Sequence, residues 1–144
     1  MRFFFYGTLL DPDVTALVLG RRMAPGMFQR AILPGHARWR VQGGSYPIVV
    51  PDARAEVVGA VVSGLSQRDI ERLARYEGPG YRIAPLKVKL GGVTTVVSVF
   101  EPVKSRLQPS RDVWDLHQWQ LQAKRAFISR VRAALSAPPA YSRP

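Results

Sequence analysis

Tyr6-Gly7-Thr8-Leu9 stands between an apolar run, Phe3-Phe4-Phe5, and Asp11-Pro12, which reads as a helix N-cap followed by proline at the first helical position. A turn in that place aims several backbone N–H groups into one concavity beside the positive end of a helix. That is a cradle for a small anion such as a carboxylate. Glu77 is the second candidate for chemistry. It falls in the last turn of a helix, within Arg75-Tyr76-Glu77-Gly78-Pro79-Gly80-Tyr81-Arg82. Acidic residues are disfavoured there, because the helix C-terminus is the negative end of the dipole. Tyr76 and Tyr81 flank it and can shield it from water. Both effects raise a carboxyl pKa and make a better base once the group is ionised. The competing reading is an exposed glutamate paired with Arg75 or Arg82, and the residues leave the two open.

Other chemistries find little support. There is no cysteine, which excludes disulfides, zinc-thiolate sites and thiol nucleophiles. Gly78-Pro79-Gly80 is not a GxGxxG fingerprint, and no GxxxxGK[ST] phosphate loop occurs. Gly43-Gly44-Ser45-Tyr46 lacks the glycine that a nucleophile elbow needs two places after the serine. His36 and His117 stand alone, 81 positions apart, whereas a metal site needs several convergent ligands. Both read as structural or surface residues, and no metal or cofactor is expected.

The elements that must position the turn and Glu77 read mostly as strands. Arg2–Tyr6 is the first, followed by a short helix over Asp11–Gly20 with Val14, Leu17 and Val18 at helical spacing. Phe28–Leu33 and Ala37–Gln42 look like two strands joined at the turn dipeptide Pro34-Gly35. Tyr46–Val50 gives a short strand broken by Pro47. Ala55–Leu65 gives a long one, with Gly59 and Gly64 as bulge or close-approach points. Ser66 and Asp69 have the capping-box pattern at the start of a helix that Gly78 closes. Tyr81–Leu90 and Val93–Glu101 form a hairpin around Gly91-Gly92. Glu101–Ser110 reads as a basic connector and Asp112 to about Leu135 as one long helix. Leu116, Trp119, Ala123, Phe127 and Val131 form its apolar stripe. Trp114 and Trp119 fall on different faces of that helix, packing on the barrel being expected and exposure to a partner the alternative. Residues 1–136 read as one domain and 137–144, with three prolines, as a flexible C-terminal tail. The pattern predicts an α+β fold, a small mixed β-barrel with helices packed outside.

A length of 144 residues is one domain's worth, and no apolar run approaches the roughly 18 residues of a membrane span. With no signal-peptide pattern either, a cytoplasmic protein is the default expectation. Net charge is +11, from 17 Arg and 4 Lys against 10 acidic residues. The basic groups are spread along the chain, 13 in residues 1–100 and 8 in 101–144, with no RNA-binding aromatic motif or zinc finger. A polyanion partner, nucleic acid included, is therefore the less favoured reading.

Phe5-Tyr6-Gly7-Thr8-Leu9 resembles the signature turn of the gamma-glutamylcyclotransferase-like family, which includes the plant avirulence-induced-gene proteins. Leu33-Pro34-Gly35, Gly44-Ser45-Tyr46-Pro47, Gly59, Tyr76-Glu77-Gly78 and Tyr81-Arg82 follow in the family's order. The resemblance covers roughly residues 3–101, and Trp114-Asp115 extends it. It implies a cofactor-free enzyme whose turn holds a γ-glutamyl head through the Gly7 and Thr8 backbone, with Glu77 as general acid/base. The implied reaction is intramolecular aminolysis that releases 5-oxoproline. Tyr6, Leu9 and the Thr8 hydroxyl, with Tyr46 and Tyr81, would complete the substrate site. Pro79-Gly80 departs from the more acidic pair expected after the glutamate and its glycine, which bears on the pocket rim and substrate preference. A non-catalytic protein on the same fold, binding polyanions through its arginines, is the alternative. The group attached to the γ-glutamyl moiety and the oligomeric state are not readable.

Overall fold

The computed structural model describes residues 1–102 and 107–136. Among the described residues, six strands and four α-helices follow in the order β1 (Phe3–Phe5), α1 (Pro12–Leu19), β2 (Phe28–Val41), β3 (Pro47–Val62), α2 (Gln67–Glu77), β4 (Tyr81–Leu90), β5 (Val93–Pro102), β6 (Pro109–Val113), α3 (Leu116–Gln122) and α4 (Lys124–Ser136). Five strands pair in the order β3-β1-β5-β4-β2, and β2 pairs with β3 to close the barrel. All these contacts are antiparallel except β1 with β5, so the barrel is mixed. β6 attaches to β2 outside the ring.

The three phenylalanines of β1 show how the layers arise. Successive side chains of a strand point to opposite faces. Phe4 joins Leu33, Val57, Val61, Val88 and Val97, a cluster drawn from strands alone, which fills the barrel. Phe3 and Phe5 face outward and pack with Val14, Leu73, Tyr76, Trp119 and Phe127 of the helices. Both faces of β1 are covered, so all three rings are buried, and each contributes about 1.5–3 kcal/mol from burial. Gly59 on β3 permits this arrangement. A Cβ there would lie 2.3 Å from the Phe5 carbonyl oxygen and 2.7 Å from the Phe4 ring.

The local signals at the helix starts are realised. Asp11 caps α1, its Oδ1 accepting from the Asp13 and Val14 amides at 2.8 and 3.1 Å. Ser66 and Asp69 form the reciprocal capping box of α2. Gly91 and Gly92 both take positive φ in the β4–β5 turn, as a primed hairpin turn demands.

Three expectations differ from the structure. Pro34-Gly35 is a bulge inside one continuous strand, not a turn between two. Gly35 does take φ of 71°, but pairing with β3 on both sides overrides the local turn signal. The two strands read around Tyr46–Leu65 merge in the same way into the single β3. The long helix from Asp112 is instead the end of β6, then α3 capped by Asp115, a break at Ala123 (φ −124°), and α4. Trp114 and Trp119 are both buried, 6.5 Å apart between ring centroids. Of the basic connector read over Glu101–Ser110, residues 103–106 lie outside the described residues, as does the tail read over 137–144.

Candidate active site

Where β1 ends, the chain turns through Gly7 into a single 3₁₀ turn, Thr8–Leu10, before Asp11 starts α1. Leu10 N–H donates to the Gly7 carbonyl at 2.9 Å and Asp11 N–H to the Thr8 carbonyl at 3.0 Å. The Thr15 hydroxyl donates to the Leu9 carbonyl at 2.6 Å, tying the turn to the next helix. On the other side stands the C-terminus of α2. Its moment points Ile70, Leu73 and Tyr76 at the barrel, and the same face carries Glu77 inward. Gly78 closes the helix with φ of 87°.

The two segments meet. Phe4, Phe5, Tyr6, Gly7, Thr8, Leu9, Glu77 and Phe100 line one small cavity of about 20 Å³. Glu77 is only 6% exposed and Thr8 fully buried, among apolar neighbours. Tyr76, also fully buried, places its phenol oxygen 3.1 Å from the Thr8 hydroxyl, a direct link between helix and turn. Of the two arginines that the sequence offers as partners for Glu77, Arg82 pairs with Glu101 at 2.8 Å.

Not every residue named from the sequence reaches this cavity. Tyr81 starts β4 and packs against the helix-side core, and Tyr46 lies half-buried in the loop between β2 and β3. Neither lines the cavity. Two contributors had no motif to announce them. Phe100 arrives from β5 because β5 lies beside β1, a long-range pairing. Arg38 donates through Nη1 to the Tyr6 carbonyl at 2.9 Å. A much larger open groove, about 570 Å³, lies among Arg40, Asp112, Trp114, Asp115 and Trp119. Its Arg40 and Asp112 are paired with each other at 2.7 Å, and neither the turn nor Glu77 reaches it.

The electrostatics near the turn centre on Asp11. Burial acts to raise its pKa, but hydrogen bonds from Lys124, Gln120 and the Val14 amide outweigh it and hold the carboxyl below the ordinary value. Lys124 also donates to Asp13 at 2.7 Å, and that carboxyl, bound by Lys124 and Arg22, is lowered to about 2. This clamp fastens α4 to the first turn of α1, immediately after the site turn.

Residues 3–121 match the family model described as gamma-glutamyl cyclotransferase, AIG2-like. The chain belongs to this family. An AIG2-like protein of Arabidopsis thaliana, AIG2-like protein A, is 32% identical over 135 residues, covering 90% of this chain and 78% of that protein. A solution structure of an Arabidopsis thaliana protein superimposes with a TM-score of 0.64 at 25% identity, covering 94% of this chain and 81% of the other. A structure titled gamma-glutamyl cyclotransferase matches with a TM-score of 0.59 at 17% identity, over 99% of this chain and 91% of that one, a likeness of fold. In this barrel the two segments that the sequence singles out line one cavity.

Proposed function

We propose that this AIG2-like chain is a γ-glutamyl cyclotransferase, releasing 5-oxoproline from a γ-glutamyl amine or amino acid. One observation carries the proposal: the buried Glu77 carboxyl group and the Tyr6–Leu9 turn line the same cavity. Glu77 takes a proton from the substrate's α-ammonium. The freed amine attacks the γ-carbonyl carbon, and a tetrahedral oxyanion forms against the Gly7 and Thr8 backbone. That attack closes the five-membered ring. As the oxyanion collapses, the C–N bond to the leaving amine breaks and Glu77 returns its proton to the departing nitrogen. The ring nitrogen gives its remaining extra proton to solvent, leaving the neutral lactam. Because the nucleophile belongs to the substrate, orientation supplies much of the acceleration. A positioned base typically adds about 10²–10⁴-fold.

A cavity of about 20 Å³ holds roughly one water. The proposal therefore requires the lining to part when a γ-glutamyl head enters. Tyr46 and Tyr81, outside the lining, serve at most the outer part of the site.

The test is to incubate the protein with γ-glutamyl dipeptides and γ-glutamyl-lysine and to assay for 5-oxoproline. Turnover of at least one substrate is the expected result, and none across the panel contradicts it. The arginine surface offers a weaker alternative, since Arg21, Arg22, Arg40 and Arg82 are already paired with carboxylates. Steeply salt-dependent nucleic-acid binding would favour it.

A further inference from the structure

Arg38 is placed unlike the four arginines just named. Among the described residues no carboxylate oxygen lies within ion-pair distance of it. Its Nη1 donates to two backbone carbonyls at once, Tyr6 at 2.9 Å and Val58 at 3.0 Å. Its Nε is buried without an acceptor, and its guanidinium lies 5.1 Å from the centre of the Trp114 ring. Trp114 is itself anchored, its indole N–H donating to the Ser45 carbonyl at 2.8 Å. Burial pushes the guanidinium pKa down, with the charge of Asp115 acting the other way.

The position in the fold explains the two carbonyls. The ladder between β1 and β3 runs from Phe3 opposite Val62 to Phe5 opposite Ala60, and stops there. Just beyond that last pair, Nη1 bonds the Tyr6 carbonyl on one side and the Val58 carbonyl on the other. A cation therefore holds the exit of β1. The Tyr6–Gly7 peptide is trans, so its C=O and N–H point in opposite directions. With the carbonyl fixed on Arg38, the Gly7 N–H faces away from the guanidinium. No acceptor among the described residues takes that N–H, and Gly7 lines the cavity that holds Glu77.

We infer that Arg38 is a positioning residue: by gripping the Tyr6 carbonyl it aims the Gly7 N–H into the cavity and, through the polarised peptide, strengthens it as a donor to substrate oxygen. The catalytic consequence rests on the cyclotransferase reading, whereas the geometric one does not. A desolvated donor fixed before reaction is worth more than one that must reorganise, and a charge on one end of a peptide polarises the hydrogen bond at the other. The guanidinium suits this place, because its Nη1 carries two N–H groups for the two carbonyls while its carbon lies over the Trp114 ring.

The experiment compares wild type with Arg38→Gln, Arg38→Lys and, as a control on the same strand, the exposed Arg30→Gln. The residual dipolar coupling of the Gly7 N–H reads the orientation of the peptide directly. Arg38→Gln changes it, Arg38→Lys largely restores it, and Arg30→Gln leaves it alone. In turnover, Arg38→Gln lowers kcat by roughly 10²-fold, the order for a misaimed oxyanion donor, with KM within a few-fold. An unchanged Gly7 coupling in Arg38→Gln overturns the inference, as does a changed coupling with kcat intact. If wild type makes no 5-oxoproline at all, the cyclotransferase reading fails while the coupling still decides the role of Arg38.

Discussion

Gly59→Ala should damage the site from outside it. Gly59 does not line the cavity, yet an added Cβ would sit 2.3 Å from the Phe5 carbonyl oxygen and 2.7 Å from Phe4 Cζ. Ordinary contact begins near 3.4 Å, so β1 and β3 must separate by about 1 Å to admit one methyl group. The obstacle is backbone rather than a flexible side-chain tip, so the adjustment cannot stay local. Overpacking of this kind costs about 1–3 kcal/mol. At roughly 3–4 °C per kcal/mol for a chain of this size, the melting temperature falls by about 3–12 °C. β1 leads directly into Tyr6-Gly7, so the turn moves with it, and a displacement of about 1 Å at a catalytic group costs about 10²-fold in rate. Calorimetry and the 5-oxoproline assay measure the two effects on one preparation. Gly26→Ala is the control, because a Cβ there meets nothing within 4 Å and its cost should stay within about 0.5 kcal/mol. A Gly59→Ala protein as stable and active as Gly26→Ala refutes the close-approach argument.

Tyr76→Phe removes the phenol that meets the Thr8 hydroxyl in the core, and should cost on the order of 1 kcal/mol in urea unfolding while lowering turnover more than stability alone explains. Asp11, Asp13 and Asp69 all have folded-state pKa values below the ordinary 3.8. Their contribution to stability is therefore complete above pH 3.8 and is lost as pH falls toward about 2, the value for Asp13. Urea midpoints across that window should fall, and Lys124→Met should flatten the drop because Lys124 binds both Asp11 and Asp13. A structure with 5-oxoproline bound should show the cavity between Glu77 and the turn enlarged beyond its present 20 Å³.

What the sequence made legible follows the range of the forces involved. The caps at Asp11 and Ser66, the Gly91-Gly92 turn and the close approach at Gly59 are stated in neighbouring residues and were readable there. Pro34-Gly35 carries the same kind of signal, but eleven further β2 residues paired with β3 decide between turn and bulge. The apolar stripe Trp119, Phe127 and Val131 is buried as read, yet it runs unbroken through the discontinuity at Ala123, so periodicity could not show the break. Burial of Glu77 was open in the sequence, because an exposed glutamate paired with Arg75 or Arg82 was equally compatible. Tertiary structure gives Arg82 to Glu101, its neighbour across the β4–β5 ladder. Arg38 carried no local mark at all, since its partners Tyr6, Val58 and Trp114 lie 20 to 76 positions away.

The most direct test of the account replaces the carboxylate without changing its shape. Glu77→Gln should fold like wild type and lose 5-oxoproline formation by about two decades or more on whichever γ-glutamyl substrate wild type turns over. Turnover within a few-fold of wild type in Glu77→Gln would contradict the assignment of this buried residue as the base.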